Sequence, residues 1–520
     1  MYKNDGRLPL IYVRGFAGGG AAINAAVDDP FYGFSQGSVH VRTDGKGRPQ
    51  FHQFESPLLR LMTDHHYEVP VYGDQWNYLE RAAPGTIAAA TIWIHRFYDI
   101  SATTFAENAA DFSIENAAKD LLKLVRLVLD KTQAPRVFLV AHSMGGLICR
   151  SLIQRVIPEL EVDGLGHPTP AAAEKYIDKL FTYATPHGGI AFALGFGLLE
   201  RARDATRFQG SDIFGPKRMH QYLTPGMGSG DGVPDGFNPV EMPEDGFSMD
   251  RLFCLIGSNA ADYDVALGLS SKAVGARSDG LVKIENAAVQ NAHRAVVHRS
   301  HSGRYGIVNS EEGYQNLQRF LFGDLEVKVE LLGVDVGRHA PPELNFQLDV
   351  GLAIRGLPVL VHEQSAAHHC PVLIERRTAE DSVDSPRPLL TTFLSSKAPR
   401  PRNILGESRT LRHALKLRLL SVREHDGRFF FEDHLEQMED WQDTLLVDIE
   451  PPTEDNFPRA WAAWASTVSQ STRGWMPLPE DLLIDEEASK NWWRGEKRLP
   501  SVANEMMGNS ARVRLTVTPR

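Results

Sequence analysis

Ser143 ends a short apolar run, and its setting is that of a nucleophile. Val137 to Gly146 reads Val-Phe-Leu-Val-Ala-His-Ser-Met-Gly-Gly. A serine placed where a strand turns sharply into a helix has its hydroxyl lifted into a pocket. Such a turn is crowded, which explains small Ala141 two residues before the serine and Gly145 two residues after it. The usual pattern is Gly-x-Ser-x-Gly, and here alanine takes the first glycine's place. Set against this is the plainer reading, a loop serine after a buried strand.

A serine hydroxyl needs a base to take its proton at neutral pH. In an elbow architecture the acid and then the histidine follow the serine along the chain. Asp279, in Ser278-Asp-Gly-Leu-Val282, is the preferred acid, because a short polar loop before an apolar pair places a carboxylate at a sheet end. Asp262 and Asp264 compete, lying sooner after the apolar run Arg251–Ile256. Three histidines are candidates for the base. His301 is preferred, since it falls between the strand-like Ala295–Val297 and the helix-like Glu311–Phe322. His298 reads better as part of the strand, and His293 is the remaining alternative.

Acyl transfer also creates an oxyanion, which needs donors fixed in advance. The backbone N–H of Met144, the residue after the serine, is one expected donor. The other is expected from the loop after the first strand, Val13-Arg-Gly-Phe-Ala-Gly-Gly-Gly20, at the N–H of Phe16. That glycine run lacks the Gly-x-Gly-x-x-Gly spacing of a dinucleotide loop.

The elements that must hold these groups alternate. Leu8–Val13, Ala90–Phe97, Arg136–Val140, Lys179–Ala184 and Arg251–Ile256 read as short apolar strands. Ser113 can cap a helix from Ile114 to about Leu129, whose apolar residues fall at helical spacing. Leu147–Val156 reads as the helix after the elbow. Continuous apolar strands separated by helices predict an α/β, doubly wound, mostly parallel sheet over residues 1–323. Residues 24–85 and 190–250 read as irregular insertions, the second expected to act as a lid. Beyond residue 323 the pattern becomes apolar–polar alternation, as at Val327, Val329 and Leu331, so residues 324–520 are expected to form a mainly antiparallel β domain.

Composition narrows the class. The chain has 520 residues and a formal net charge of −11. That balance argues against a general nucleic-acid binder, which needs a basic surface. Three widely spaced cysteines imply neither a disulfide framework nor a zinc finger. His362, His368, His369 and Cys370 crowd one segment without a common metal-ligand spacing, and read as a solvated loop. Trp461, Trp464, Trp475, Trp492 and Trp493 read mainly as packing, with a membrane surface as the competing contact. The N-terminus lacks the apolar core of a secretory signal, and no run spans a bilayer, so a cytoplasmic location is expected. Export by a signal-less route would leave no mark in the sequence.

As a set, four motifs resemble the bacterial lipase branch of the α/β-hydrolase superfamily. They are Arg14-Gly-Phe-Ala-Gly18, Ala141-His-Ser-Met-Gly-Gly146, Ala184-Thr-Pro-His-Gly-Gly189 and Ser278-Asp-Gly-Leu-Val282, with His301 completing the order. Some bacterial lipases share the Ala141 departure. Lipases usually have histidine where Arg14 stands. The resemblance covers roughly residues 8 to 323 and implies a serine-dependent carboxylic ester hydrolase with a mobile cap and no cofactor. It places His187 near the site, shaping it. The implied substrate is a lipid or other apolar acyl ester. A phospholipase or acyltransferase would use the same triad, and a non-catalytic scaffold on this fold is the alternative from another class. Residues 324–520 match no recognised family.

Overall fold

The computed structural model describes the whole chain except residues 1–5, 17–19, 44–46, 71–73, 100–111, 191–212, 229, 264–273, 337–343, 376–384, 397–401, 404–405, 408–410, 424–435, 453–457, 469–474 and 487–491. The chain divides into two compact units. One comprises residues 1–294 with 298–314, the other residues 295–297 with 315–520.

The mostly parallel sheet is made of strands that are apolar except at a few positions, such as Asp178, Lys179, His293 and Arg294. Its strands are β1 (Leu10–Val13), β4 (Ile92–Ile94), β5 (Val137–His142), β6 (Ile177–Tyr183), β7 (Leu252–Gly257) and β8 (His293–Val297). They lie in the order β4-β1-β5-β6-β7-β8, and β4, β1, β5, β6 and β7 pair in parallel. Strands buried on both faces by flanking helices have no wet side, hence the runs Leu-Ile-Tyr-Val and Val-Phe-Leu-Val-Ala. Helix α4 (Ile114–Thr132) starts where Ser113 accepts a hydrogen bond from the Asn116 N–H, and ends in left-handed Gln133. Helix α5 (Met144–Ser151) leaves β5 directly and continues through a π-helical turn at Leu152–Val156 into Ile157–Leu160.

Residues 24–85 are more regular than their composition predicts. They hold the end of α1 (Gly20–Asp28), a hairpin of β2 (Ser38–Thr43) and β3 (Pro49–Phe54), and helices α2 (Pro57–His65) and α3 (Gln75–Arg81). Local capping explains two of these helices: Ser56 and Asp74 each accept a backbone N–H three residues on. The apolar start of the 190–250 insertion lies largely outside the described residues. Its described part holds helix α6 (Pro216–Leu223) and turns.

The second unit is antiparallel β. One sheet runs β11 (Leu360–Gln364), β10 (Leu344–Ile354), β14 (Leu411–Arg423), β15 (Glu436–Glu450), β16 (Arg459–Trp464), with β12 (Val372–Ile374) also on β10. The other runs β13 (Arg387–Leu394), β9 (Leu325–Leu332), β18 (Arg512–Pro519), β17 (Trp493–Arg498). The register sets Leu348 opposite Leu419 and Leu415 opposite Leu445, so alternate residues of neighbouring strands share one face. Both sheets feed one apolar core, into which Trp464 and Trp493 are buried. Helix α7 (Glu311–Phe322) contains the boundary between the units. Among the described residues, no helix is long and apolar enough to cross a membrane.

Candidate active site

The elbow is visible in the backbone of Ser143. Its φ of 54° and ψ of −128° lie where non-glycine residues are strained. The surroundings hold it there: the Ser143 N–H donates to the Tyr183 carbonyl at 2.9 Å, and the Thr185 hydroxyl donates to the Ser143 carbonyl at 2.9 Å. Glycine at 145 is a steric requirement, since a methyl there would fall 2.5 Å from the Arg14 carbonyl oxygen and closer still to that of Val13. Gly15 fulfils the same need from the other side. A methyl on it would press on the Ser143 Cβ and come within 2.9 Å of the His142 carbonyl oxygen. The end of β1 therefore lies directly on the elbow.

Ser143, Asp279 and His301 come together, each almost wholly buried. The Ser143 hydroxyl stands 2.9 Å from His301 Nε2, and His301 Nδ1 stands 2.8 Å from Asp279 Oδ2. A carboxylate can only accept, so Nδ1 carries the proton and Nε2 is left to receive one from the serine. Asp279 is itself fixed by the N–H groups of Leu281 (2.9 Å) and Val282 (2.7 Å) on Oδ1. The His301 N–H donates to the Asp279 carbonyl at 2.9 Å, tying the two loops together by backbone as well. The ring of Tyr263 meets His301 edge-on, with centroids 5.8 Å apart.

The competing candidates lie elsewhere. Asp262 is engaged with Asn259, which donates to it at 2.6 Å. Asp264 lies outside the described residues. His298 Nδ1 faces the Ser258 hydroxyl at 3.5 Å, and His293 approaches exposed Asp250 at 4.0 Å. Met144 opens α5, so its N–H has no acceptor within the helix. Phe16 follows Gly15 with its side chain partly exposed. His187 is wholly buried beside Thr182 and Cys254, and burial pushes its pKa well below the ordinary value. His362 accepts the Val296 N–H at 3.3 Å, and among the described residues no cluster of His, Cys, Asp or Glu has the makings of a metal site.

Two residues escaped the sequence reading. His142, inside the elbow motif, donates from Nε2 to the His301 carbonyl at 2.9 Å. Burial first, and the neighbouring His301 second, lower its pKa to about 3, so it is neutral. Its signal was a polar side chain at the end of an otherwise apolar strand. Arg150 is fully buried and donates to Gln154 and to the carbonyls of His187, Pro239 and Glu241 at 2.8–3.2 Å. Burial lowers its pKa to about 10, which leaves it charged at neutral pH. It ties part of the 190–250 insertion to α5, and its signal was one cation in the apolar run Leu-Ile-Cys-Arg-Ser-Leu-Ile.

No family model and no curated protein matches the chain. Solved structures give distant likenesses. Phospholipase PlaB from Legionella pneumophila is 13% identical, over 83% of this chain and 89% of that one, with a TM-score of 0.32. Aspergillus fumigatus lipase B is 9% identical, over 61% and 53%, with a TM-score of 0.27. The lin2722 gene product of Listeria innocua is 12% identical, over 61% and 94%, with a TM-score of 0.26. The chain's own sheet order and elbow are those of an α/β-hydrolase-like unit followed by a separate, mostly antiparallel β region. A buried Ser–His–Asp relay behind a strained elbow is the arrangement of a serine hydrolase acting on ester bonds.

Proposed function

We propose that this protein hydrolyses carboxylic esters of lipids or other apolar acyl groups, in the manner of the lipase and esterase branch of its superfamily. The observation that carries the reading is the unbroken hydrogen-bond relay from the Ser143 hydroxyl through His301 to Asp279. Ser143 Oγ attacks the ester carbonyl carbon while its proton passes to His301 Nε2. The oxyanion so formed takes hydrogen bonds from the N–H groups of Met144 and Phe16. As it collapses, the carbonyl reforms, the ester C–O bond breaks, and His301 hands its proton to the departing alcohol. Water then repeats the sequence on the acyl-serine, with His301 again as base, and releases the acid. Asp279 holds the imidazole tautomer and offsets the charge His301 gains. No step needs a cofactor.

The same reading assigns residues 1–323 to the hydrolase domain and 324–520 to an appended β domain that positions substrate, a membrane surface or a partner. Residues 190–250 are proposed as the lid, anchored near its far end where Arg150 holds the Pro239 and Glu241 carbonyls. Three free, buried cysteines support a cytoplasmic location, where thiols stay reduced. The test is acyl release from a triglyceride, a phospholipid and a short-chain ester, measured side by side for the wild type and Ser143→Ala. Turnover of at least one that is lost in the variant supports the reading. Equal turnover by both proteins overturns it, and a transfer product in place of free acid assigns the protein as an acyltransferase.

A further inference from the structure

Among the described residues half-buried Arg14 makes no hydrogen bond and no ion pair, although it stands at the catalytic end of the sheet. The β1–β5 register pairs Tyr12 with Val140 and Val13 with Ala141. Arg14 and His142 come next along the two runs, so both fall on the face that carries Tyr12. They lie at the carboxyl end of a parallel sheet, where open α/β folds receive ligands. Burial and His301 are the larger causes of the low His142 pKa, and the charge of Arg14 adds to them. His142 holds the His301 carbonyl at 2.9 Å, and Gly15, the residue after Arg14, packs on the Ser143 Cβ. Arg14 thus adjoins the relay without belonging to it.

The acids of this region are committed to other groups. Asp29, whose charge opposes that of Arg14 at Tyr12, accepts the N–H groups of Phe31 at 2.9 Å and Gly33 at 2.7 Å. Asp99 accepts the Tyr32 hydroxyl at 2.8 Å and the Arg96 Nε at 2.9 Å. Arg14 Nη1 borders the space over Gly33 instead. A methyl on Gly33 would lie 3.9 Å from Arg14 Nη1 and 3.9 Å from Gln36 Nε2, so two donors flank one point that no side chain fills. The φ of Gly33 is 85°, a conformation that favours glycine, so the backbone itself keeps this space open. Gln36 is exposed, and its carboxamide makes no hydrogen bond among the described residues.

A half-buried cation gives up hydration and regains it only from a counter-ion. A guanidinium fork fits the paired oxygens of a carboxylate or phosphate, and a carboxamide N–H adds one more donor. We propose that Arg14, assisted by Gln36, binds an anionic group of the substrate, so that the preferred ester carries a phosphate or carboxylate beside its acyl chain. The proposal rests on the hydrolase reading and narrows it from apolar acyl esters in general to acidic ones.

The test is kcat/KM of the full-length protein for two pairs of soluble esters that differ in charge. Nitrophenyl hemiglutarate against nitrophenyl butyrate puts a carboxylate on the acyl end. Dihexanoyl phosphatidic acid against dihexanoylglycerol puts a phosphate on the alcohol side. The wild type should prefer the anionic member of one pair, and that pair identifies the source of the anion. Arg14→Gln should lower the anionic-to-neutral ratio by about tenfold or more, through KM, and Arg14→Lys should restore part of it. Gln36→Ala should lower the same ratio by a few-fold. The wild-type ratio and Gln36→Ala, altered at an exposed side chain, carry the test even if Arg14→Gln does not fold. A wild type indifferent to charge in both pairs overturns the proposal and spares the hydrolase. So do equal losses by Arg14→Gln on anionic and neutral esters, since Arg14 then serves the loop at Gly15 and not a substrate anion. A wild type that cleaves no ester and takes up no fluorophosphonate at Ser143 defeats the hydrolase reading and this proposal with it.

Discussion

The two units bury different things. The second is held chiefly by an apolar core drawn from two antiparallel sheets, with a smaller cluster around Trp475. The first buries polar chemistry in its interior: Ser143, Asp279 and His301, the fully buried Arg150, and the neutral His95 and His187, with neutral, half-buried His142 beside them. The second unit buries ionisable groups too, but singly or in ion pairs, such as Asp448 held by Arg412 at 2.7 Å, and not in a relay. A core of the first kind costs desolvation at every polar group and repays it only where each finds a partner. The difference teaches where to look for function: the unit that retains expensive buried groups, and joins them in a directed relay, is the one that does chemistry.

That contrast is broken most severely at the relay. Asp279→Asn keeps the volume but removes the charge, and its amide can no longer favour the productive His301 tautomer. Turnover should fall by about 10⁴ with the fold intact, as measured by ester hydrolysis beside a circular dichroism spectrum. A loss under about tenfold would transfer the acid's role to another carboxylate.

A smaller effect is expected one layer out. His142→Leu deletes the hydrogen bond to the His301 carbonyl and leaves the relay's own atoms in place. Misplacing a reacting group costs up to about 10²-fold, so kcat should fall by roughly ten- to a hundredfold with KM little changed. A change confined to KM would show that His142 shapes the substrate site instead.

The smallest and most general effect is in acid. Burial holds His95 at about 4 and His142 at about 3, and lowers His187 well below its ordinary value. All three are neutral in the folded first unit and take up protons near pH 6.5 once unfolded. The unfolded state then binds more protons, so this stability is complete above about pH 6.5 and is lost as the pH falls toward about 4. Each histidine contributes up to about 1.4 kcal/mol per pH unit. In the second unit His413 is held at about 4 by burial. Amide exchange followed from neutral to mildly acid pH should therefore show β5 losing protection more steeply than β14. Equal slopes would mean that the two units differ less than their buried groups imply.

Much of this was legible because the relevant signals are local or ordered. The elbow announces itself in ten consecutive residues, while the polar loop before Leu281-Val282 and the place of His301 between a strand-like and a helix-like segment favoured these two over nearby rivals. The β region was legible from Val327, Val329 and Leu331, whose alternation is the direct imprint of a one-sided sheet. Three features were not. The hairpin at 38–54 was passed over as irregular, because its histidines and the two glycines among residues 44–48 dilute its pattern. His142 and Arg150 act through backbone carbonyls of distant segments, and a carbonyl leaves no trace in the sequence of the residue that offers it.

The central claim is that Ser143 is the nucleophile, raised by its elbow and served by His301. Labelling with a fluorophosphonate probe, with the modified residue located by mass spectrometry, tests it most directly. The account predicts one adduct, on Ser143 Oγ, absent from Ser143→Ala and sharply reduced in His301→Ala. Equal labelling of the wild type and Ser143→Ala would contradict it.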